Sequence, residues 1–194
     1  MRSMLMVAVL LLAGGCALVT SPVIVGDTPL NIEGVRSEWE GTWLADGDPL
    51  LVKVLDGTNG VLQVGWRNED DAGNMKLELL SVYLRTHGDW TFATLVPQDE
   101  SGKEEPYVWF KIVKDKRMCL LWLPDTDKFQ ALVDAGVLPG EATSRRPIGP
   151  NEGRKKTGVK LHALKPEHLA LIASETHGVL FAWEEPLVLF KTGE

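Results

Sequence analysis

Residues 50–67 read LLVKVLDGTNGVLQVGWR, and this stretch decides the fold class. Apolar and polar side chains alternate on both sides of a five-residue break, Asp56-Gly57-Thr58-Asn59-Gly60. Alternation with a period of two marks a strand with one face buried. Asp-Gly and Asn-Gly supply the positive φ that tight hairpin turns need. Residues 50–55 and 61–67 are therefore expected to pair as a hairpin. Leu62, Val64 and Trp66 would share one face, and Gln63, Gly65 and Arg67 the other.

The same pattern recurs on both sides. Residues 38–44 (EWEGTWL) read as a strand with Trp39, Gly41 and Trp43 on one face. Residues 75–85 read as a long strand whose apolar face changes parity near Leu79-Leu80, which predicts a bulge or a strongly bent strand. A turn at 86–89 leads to a strand over 90–96, and residues 107–113 and 117–123 form a further hairpin. Short antiparallel strands at this spacing imply a barrel or a sandwich. The pattern then changes. Asp125, Thr126 and Asp127 offer N-caps for a helix over 128–135, with Phe129, Leu132 and Val133 as its apolar stripe and Gly136 as its stop. A strand over 159–164 precedes a second helix that starts at Lys165-Pro166-Glu167, where proline's missing N–H does little harm. Strands over 179–183 and 187–191 close the domain. The expected class is mainly β: an antiparallel, barrel-like domain with two short helices in its C-terminal part.

The chain has 194 residues, 44% of them hydrophobic and 24% charged, which suits one domain with a full core. Its formal charge of −7 argues against nucleic acid and against anionic lipid as main partners. The cationic exception is the loop 145–156, with Arg145, Arg146, Arg154, Lys155 and Lys156. Catalytic signatures are missing: there is no Gly-x-Ser-x-Gly, no Ser-x-x-Lys and no Gly-rich phosphate loop. The four histidines, His87, His162, His168 and His177, lack metal-ligand spacing, and the acidic pairs Asp70-Asp71, Glu104-Glu105 and Glu184-Glu185 fall in expected loops. The expectation is a protein that is not an enzyme and carries no metal or cofactor.

Residues 1–16 read MRSMLMVAVLLLAGGC. One cation, a short apolar run and a small-residue exit describe a secretory signal, and the run falls short of the roughly 20 apolar residues that span a bilayer. The ending Ala13-Gly14-Gly15-Cys16 resembles the lipobox of bacterial lipoproteins. That resemblance implies cleavage before Cys16, a diacylglyceryl group on its thiol and an acyl chain on its new amine. It further implies a lipid-anchored cell-envelope protein, on the periplasmic face of the outer membrane if the host is Gram-negative. The expected division is 1–15 signal peptide, 16–34 lipidated tether and 35–194 one β-rich domain. Cys119 is then alone, and its neighbours Met118, Leu120, Leu121 and Trp122 read as a buried strand, so an inert thiol is expected.

Glu40-Gly41-Thr42-Trp43 on the first expected strand resembles the Gly-x-Trp opening of lipocalins and related calycin barrels. The resemblance implies that Trp43 plugs the barrel base and that Gly41 permits close backbone approach. It also implies a module for a small apolar ligand, and the count of aromatic residues points the same way, with Trp66, Trp90 and Tyr107 as the candidate wall residues of a cavity. Seven tryptophans are present, and they serve equally as ordinary β-domain core. The competing expectation is a structural or assembly partner of other envelope proteins, with no small-molecule ligand.

Overall fold

A computed structural model describes residues 18–69, 74–97, 106–144, 157–174 and 176–193. Twelve strands are present among them: β1 (Val19–Ser21), β2 (Thr28–Pro29), β3 (Gly41–Ala45), β4 (Asp48–Asp56), β5 (Val61–Glu69), β6 (Met75–His87), β7 (Trp90–Pro97), β8 (Tyr107–Asp115), β9 (Met118–Trp122), β10 (Gly140–Ser144), β11 (Thr157–Leu161) and β12 (Leu187–Lys191). Eight close into an antiparallel barrel. Running from β8 through β7, β6, β5, β4 and β3, the ring is completed by β12, then β9, which pairs back onto β8. β12 fits between β3 and β9, with Leu189 opposite both Ala45 and Cys119. The mainly β barrel class is therefore present, as are both C-terminal helices, α2 (Thr126–Asp134) and α3 (Pro166–Ile172), which follow a four-residue helix α1 (Arg36–Trp39).

The helix starts obey local chemistry. Asp125 caps α2 by accepting from the N–H groups of Asp127 and Lys128 at 3.1 and 3.2 Å. Pro166 opens α3, and His168 Nδ1 accepts from the Lys165 N–H at 3.1 Å.

Two cores stand back to back. Inside the barrel lie Trp43, Val52, Leu62, Val82, Leu84, Phe110 and Leu121, among others. Outside it, Phe92, Trp109 and Trp122 project from β7, β8 and β9 into a second core. Phe129 and Leu132 of α2, Leu169 and Ile172 of α3, and Val159 and Leu161 of β11 complete it, with Leu180 and Phe181. β10, β11 and β1 extend the sheet from β8 beside this layer. β1 runs parallel to β11 and antiparallel to β8.

The stretch read as a tether is part of the fold. β1 pairs with two strands, Val19, Val25 and Ile32 are at most 2% exposed, and β2 pairs with β6 at Thr86 and Arg85. The Val25 N–H donates to Thr94 Oγ1 at 3.0 Å, which satisfies a buried pair on the outer face of β7. Further on, the Leu30 N–H reaches Leu84 O at 3.0 Å and the Ile32 N–H reaches Gly57 O at 2.7 Å. Gly60, at φ +63°, permits this approach: a Cβ there would meet Leu30 O at 2.6 Å and Leu84 O at 2.7 Å. Residues from Leu18 on are thus paired and packed into the fold.

Residues 38–44 are not one strand. Trp39 ends α1, and β3 starts at Gly41, so Trp39 does not share a strand face with Gly41 and Trp43. The helix answers a need of β4. Pairing of β3 with β4 ends at Gly41 opposite Val52, which leaves Val54 without a strand neighbour on that side. Glu40 Oε1 accepts from the Val54 N–H at 3.1 Å, and Arg36 donates to Val54 O at 3.0 Å. β6 has no bulge at Leu79-Leu80; its register with β5 runs unbroken from Met75 to Tyr83. The parity change arises because the β5–β6 hairpin overhangs the barrel. Leu77 and Leu79 stay outside, 67% and 37% exposed, and lean over the bare Gly65. The irregularity lies in β4 instead, between Val54 and Asp56. Residues 179–183 form no strand but one bridge, Pro124 to Phe181.

Because Ile32 is packed into the barrel core, Ile32→Ala should destabilise the domain by about 2–5 kcal/mol. Urea unfolding of the purified domain reads this directly. A change under about 0.5 kcal/mol, the range of surface positions, would mean that residues 18–34 do not seal the barrel.

Candidate functional site

The strand directions define a base and a mouth. The turns at 57–60, 88–89 and 116–117, the start of β3 and the end of β12 gather at the base. The base is sealed. Trp43, 2% exposed, donates its Nε1 proton to Trp39 O at 2.7 Å, which fastens α1 across the barrel end. Lys114 reaches Glu38 at 2.8 Å from β8, and Lys191 reaches Ser37 O from β12. Gly41, at φ +126°, leaves room for the Lys191 side chain: a Cβ there would meet its Cε at 3.3 Å.

Between base and mouth lies a cavity of about 150 Å³. Trp39 and Trp43 line its base end, Val52, Val82, Ala93 and Phe110 its middle, and Leu50, Trp66 and Leu187 its upper end. Asp46, in the turn after β3, is the one charged lining residue. A volume of this size with so apolar a lining suits a benzene-sized guest. It is smaller than the roughly 300–1,000 Å³ typical of drug-sized ligand sites. Among the described residues, no group of three His, Cys, Asp or Glu side chains comes together as a metal site.

Cys119 lies on the cavity wall, 3% exposed. Burial pushes its thiol up to about 12, with the Lys114 charge pulling weakly the other way.

Of the three expected wall residues, Trp66 is on the cavity and the other two are not. Trp90 lies on the outer face of β7 and Tyr107 at the start of β8, paired with Ser21 of β1. Both faces of β7 and β8 are apolar, so parity alone does not choose the inside. Trp90 belongs to an aromatic cluster that sequence reasoning missed. Lys111 Nζ stands 4.1 Å from the Trp90 ring centre, 4.0 Å from Trp183 and 5.3 Å from Trp122. Trp122 and Trp183 meet edge to face at 4.6 Å. Desolvation lowers the Lys111 pKa, and no carboxylate among the described residues pairs with it. Trp183 also borders a shallow groove that carries Glu184 and Glu185.

The histidines have structural places. His87 Nδ1 lies 2.8 Å from Asp27, whose carboxyl is held below its usual range chiefly by that hydrogen bond. His168 caps α3, and His162 and His177 are exposed. Cys16 and the cationic loop 145–156 lie outside the described residues, as do Asp70-Asp71 and Glu104-Glu105.

At pH 8 a thiol with a pKa near 12 is ionised in about one molecule in ten thousand, so Cys119 should resist iodoacetamide in the folded protein and label fully in urea. Mass spectrometry of the alkylated protein gives the answer. Above pH 9 the unfolded chain sheds this proton while the fold retains it, so Cys119 makes stability fall as pH rises toward 12.

No protein-family model, curated protein or solved structure matches the chain. The architecture is a closed eight-stranded antiparallel barrel, compatible with a lipocalin-like fold.

Proposed function

We propose that this chain is a lipid-anchored cell-envelope protein whose barrel holds a small apolar molecule. The observation that carries the ligand is the nearly all-apolar cavity of about 150 Å³, closed at its base by Trp43 and α1. Its size selects the class. One aromatic ring or a short acyl segment fits; a whole long-chain lipid does not. Affinity comes from apolar contact, at about 25 cal/mol per Å² removed from water, with no directional partner for a charged group deep inside. The reading of Cys16 as the anchor rests on residues 1–16, with the outer-membrane location following only in a Gram-negative host.

Thermal unfolding with benzene, toluene or hexanol tests the cavity. A guest at a hundred times its Kd should stabilise the fold by about 2.7 kcal/mol. Ala93→Leu places extra carbon in the void and should abolish that shift while the free protein stays folded. Equal shifts in both proteins, or none with any guest, would remove the ligand reading.

A second reading, an assembly partner of other envelope proteins, is favoured by the bare outer face of β4–β6. Leu51 and Leu77 are 60% and 67% exposed there, on the side of the ring away from β8. Crosslinking in cells should recover a specific partner from the native protein and lose it in Leu77→Glu; recovery of monomer alone refutes this reading.

A further inference from the structure

We infer that the Trp90–Trp122–Trp183 cluster with Lys111 is a seat for the headgroups of a zwitterionic phospholipid bilayer. The inference rests on the proposal that Cys16 carries lipid, and it follows from how little chain separates that residue from the fold. Leu18 comes two positions after Cys16, a reach of at most about 7 Å. Leu18 is already packed against the barrel core, and its carbonyl accepts from the Val159 N–H at 2.8 Å. An anchored chain therefore has no slack, and the wall around Leu18 must lie against the leaflet.

Strand register says which wall this is. One edge of β8 is shared. It pairs with β1 at Tyr107 and Val108, and with β9 from Lys111 onward. Thr20 lies opposite Val108, so Leu18 falls opposite Phe110, in the gap just before Lys111 and Trp122. Val19 belongs to the same outer core as Trp122, and Trp90 and Trp183 pack against that core. The anchor thus leaves the fold beside the cluster.

The cluster's chemistry matches a headgroup layer. Indole rings with one apolar and one polar edge settle at the membrane–water boundary, a role open to the part-exposed Trp90 and Trp183 while Trp122 is buried, and lysine extends its stem along apolar surface while its charge seeks phosphate. Lys111 is half-buried between rings and lacks a carboxylate partner among the described residues. Trp183 is followed by the exposed Glu184 and Glu185, and the three line one groove in which Lys128 is already paired with Asp125. A lipid phosphate meets Lys111, and a lipid ammonium meets these carboxylates and the indole faces. This pairing of opposite charges suits a zwitterionic headgroup and agrees with a chain whose net charge is −7. The leucine face on β4–β6 then looks away from the membrane.

The test uses the full-length protein, carrying its native anchor, in phosphatidylethanolamine–phosphatidylcholine vesicles. Incorporation of labelled palmitate is scored first, against Cys16→Ser; absence of label overturns the anchor and the seat together. With label present, amine acetylation is followed by mass spectrometry. Lys111 should react at least about fivefold more slowly on vesicles than in the unanchored Cys16→Ser protein, as expected for a lysine drawn to the interface. Lys53, exposed on β4 across the ring, should react at the same rate in both. Equal Lys111 rates in the labelled protein would overturn the seat while leaving the anchor intact. In vesicles of brominated lipid, tryptophan quenching should fall by about half in the Trp90→Phe/Trp183→Phe variant, since these two rings are the ones set at the interface. Undiminished quenching in that variant, if folded, would likewise overturn the seat.

Discussion

The wall made by β7, β8 and β9 bounds both cores, and the remaining structure depends on it. Tyr107–Asp115 sends Val108, Phe110 and Ile112 into the barrel and Trp109 out beneath the helices. Trp109 is fully buried and meets Phe92, Phe129 and Phe181 edge to face, at 5.7 to 5.9 Å. Rings in this arrangement add roughly 0.5–1.5 kcal/mol per pair beyond their buried area. The outer layer is thus fastened to a strand that the inner layer fastens from the other side. A wall buried on both faces is stiff, because close-packed interiors transmit strain instead of absorbing it.

This double burial explains why function is harder to read from the sequence than fold. The hairpin at 50–67 was legible because turn chemistry and alternation agree and its outer face is polar or bare. The helix at Asp125 and the one at Pro166 were legible because caps act within a few residues. Trp90 and Tyr107 lie off the cavity, and alternation offers no help, since it separates two faces without saying which one lines the hollow. Where helices cover the outside, both faces carry large apolar side chains. Residues 18–34 were missed for another reason. Their partners, Val159, Val108, Thr94 and Leu84, are far away in the chain, and no single piece is long enough to show a period.

The hollow and the cage use aromatic residues in opposite ways. Trp39, Trp43 and Trp66 give the cavity walls without offering a charged group. Trp90, Trp122 and Trp183 surround an ammonium and raise the free-energy cost of its charge by excluding water. The first arrangement excludes ions; the second holds one ready for an external counter-charge.

The position of β12 has a consequence for how the molecule comes into being. A chain emerging N-terminus first can zip β3 through β9 from local hairpins. It then carries two raw edges, β3 and β9, until Leu187–Lys191 arrives between them. Through synthesis the half-made sheet is a gutter, not a tube, and a stray strand from a neighbouring molecule can take the vacant slot. A rearranged gene that places this strand directly before β3 would turn the slowest, most distant pairing into another local hairpin.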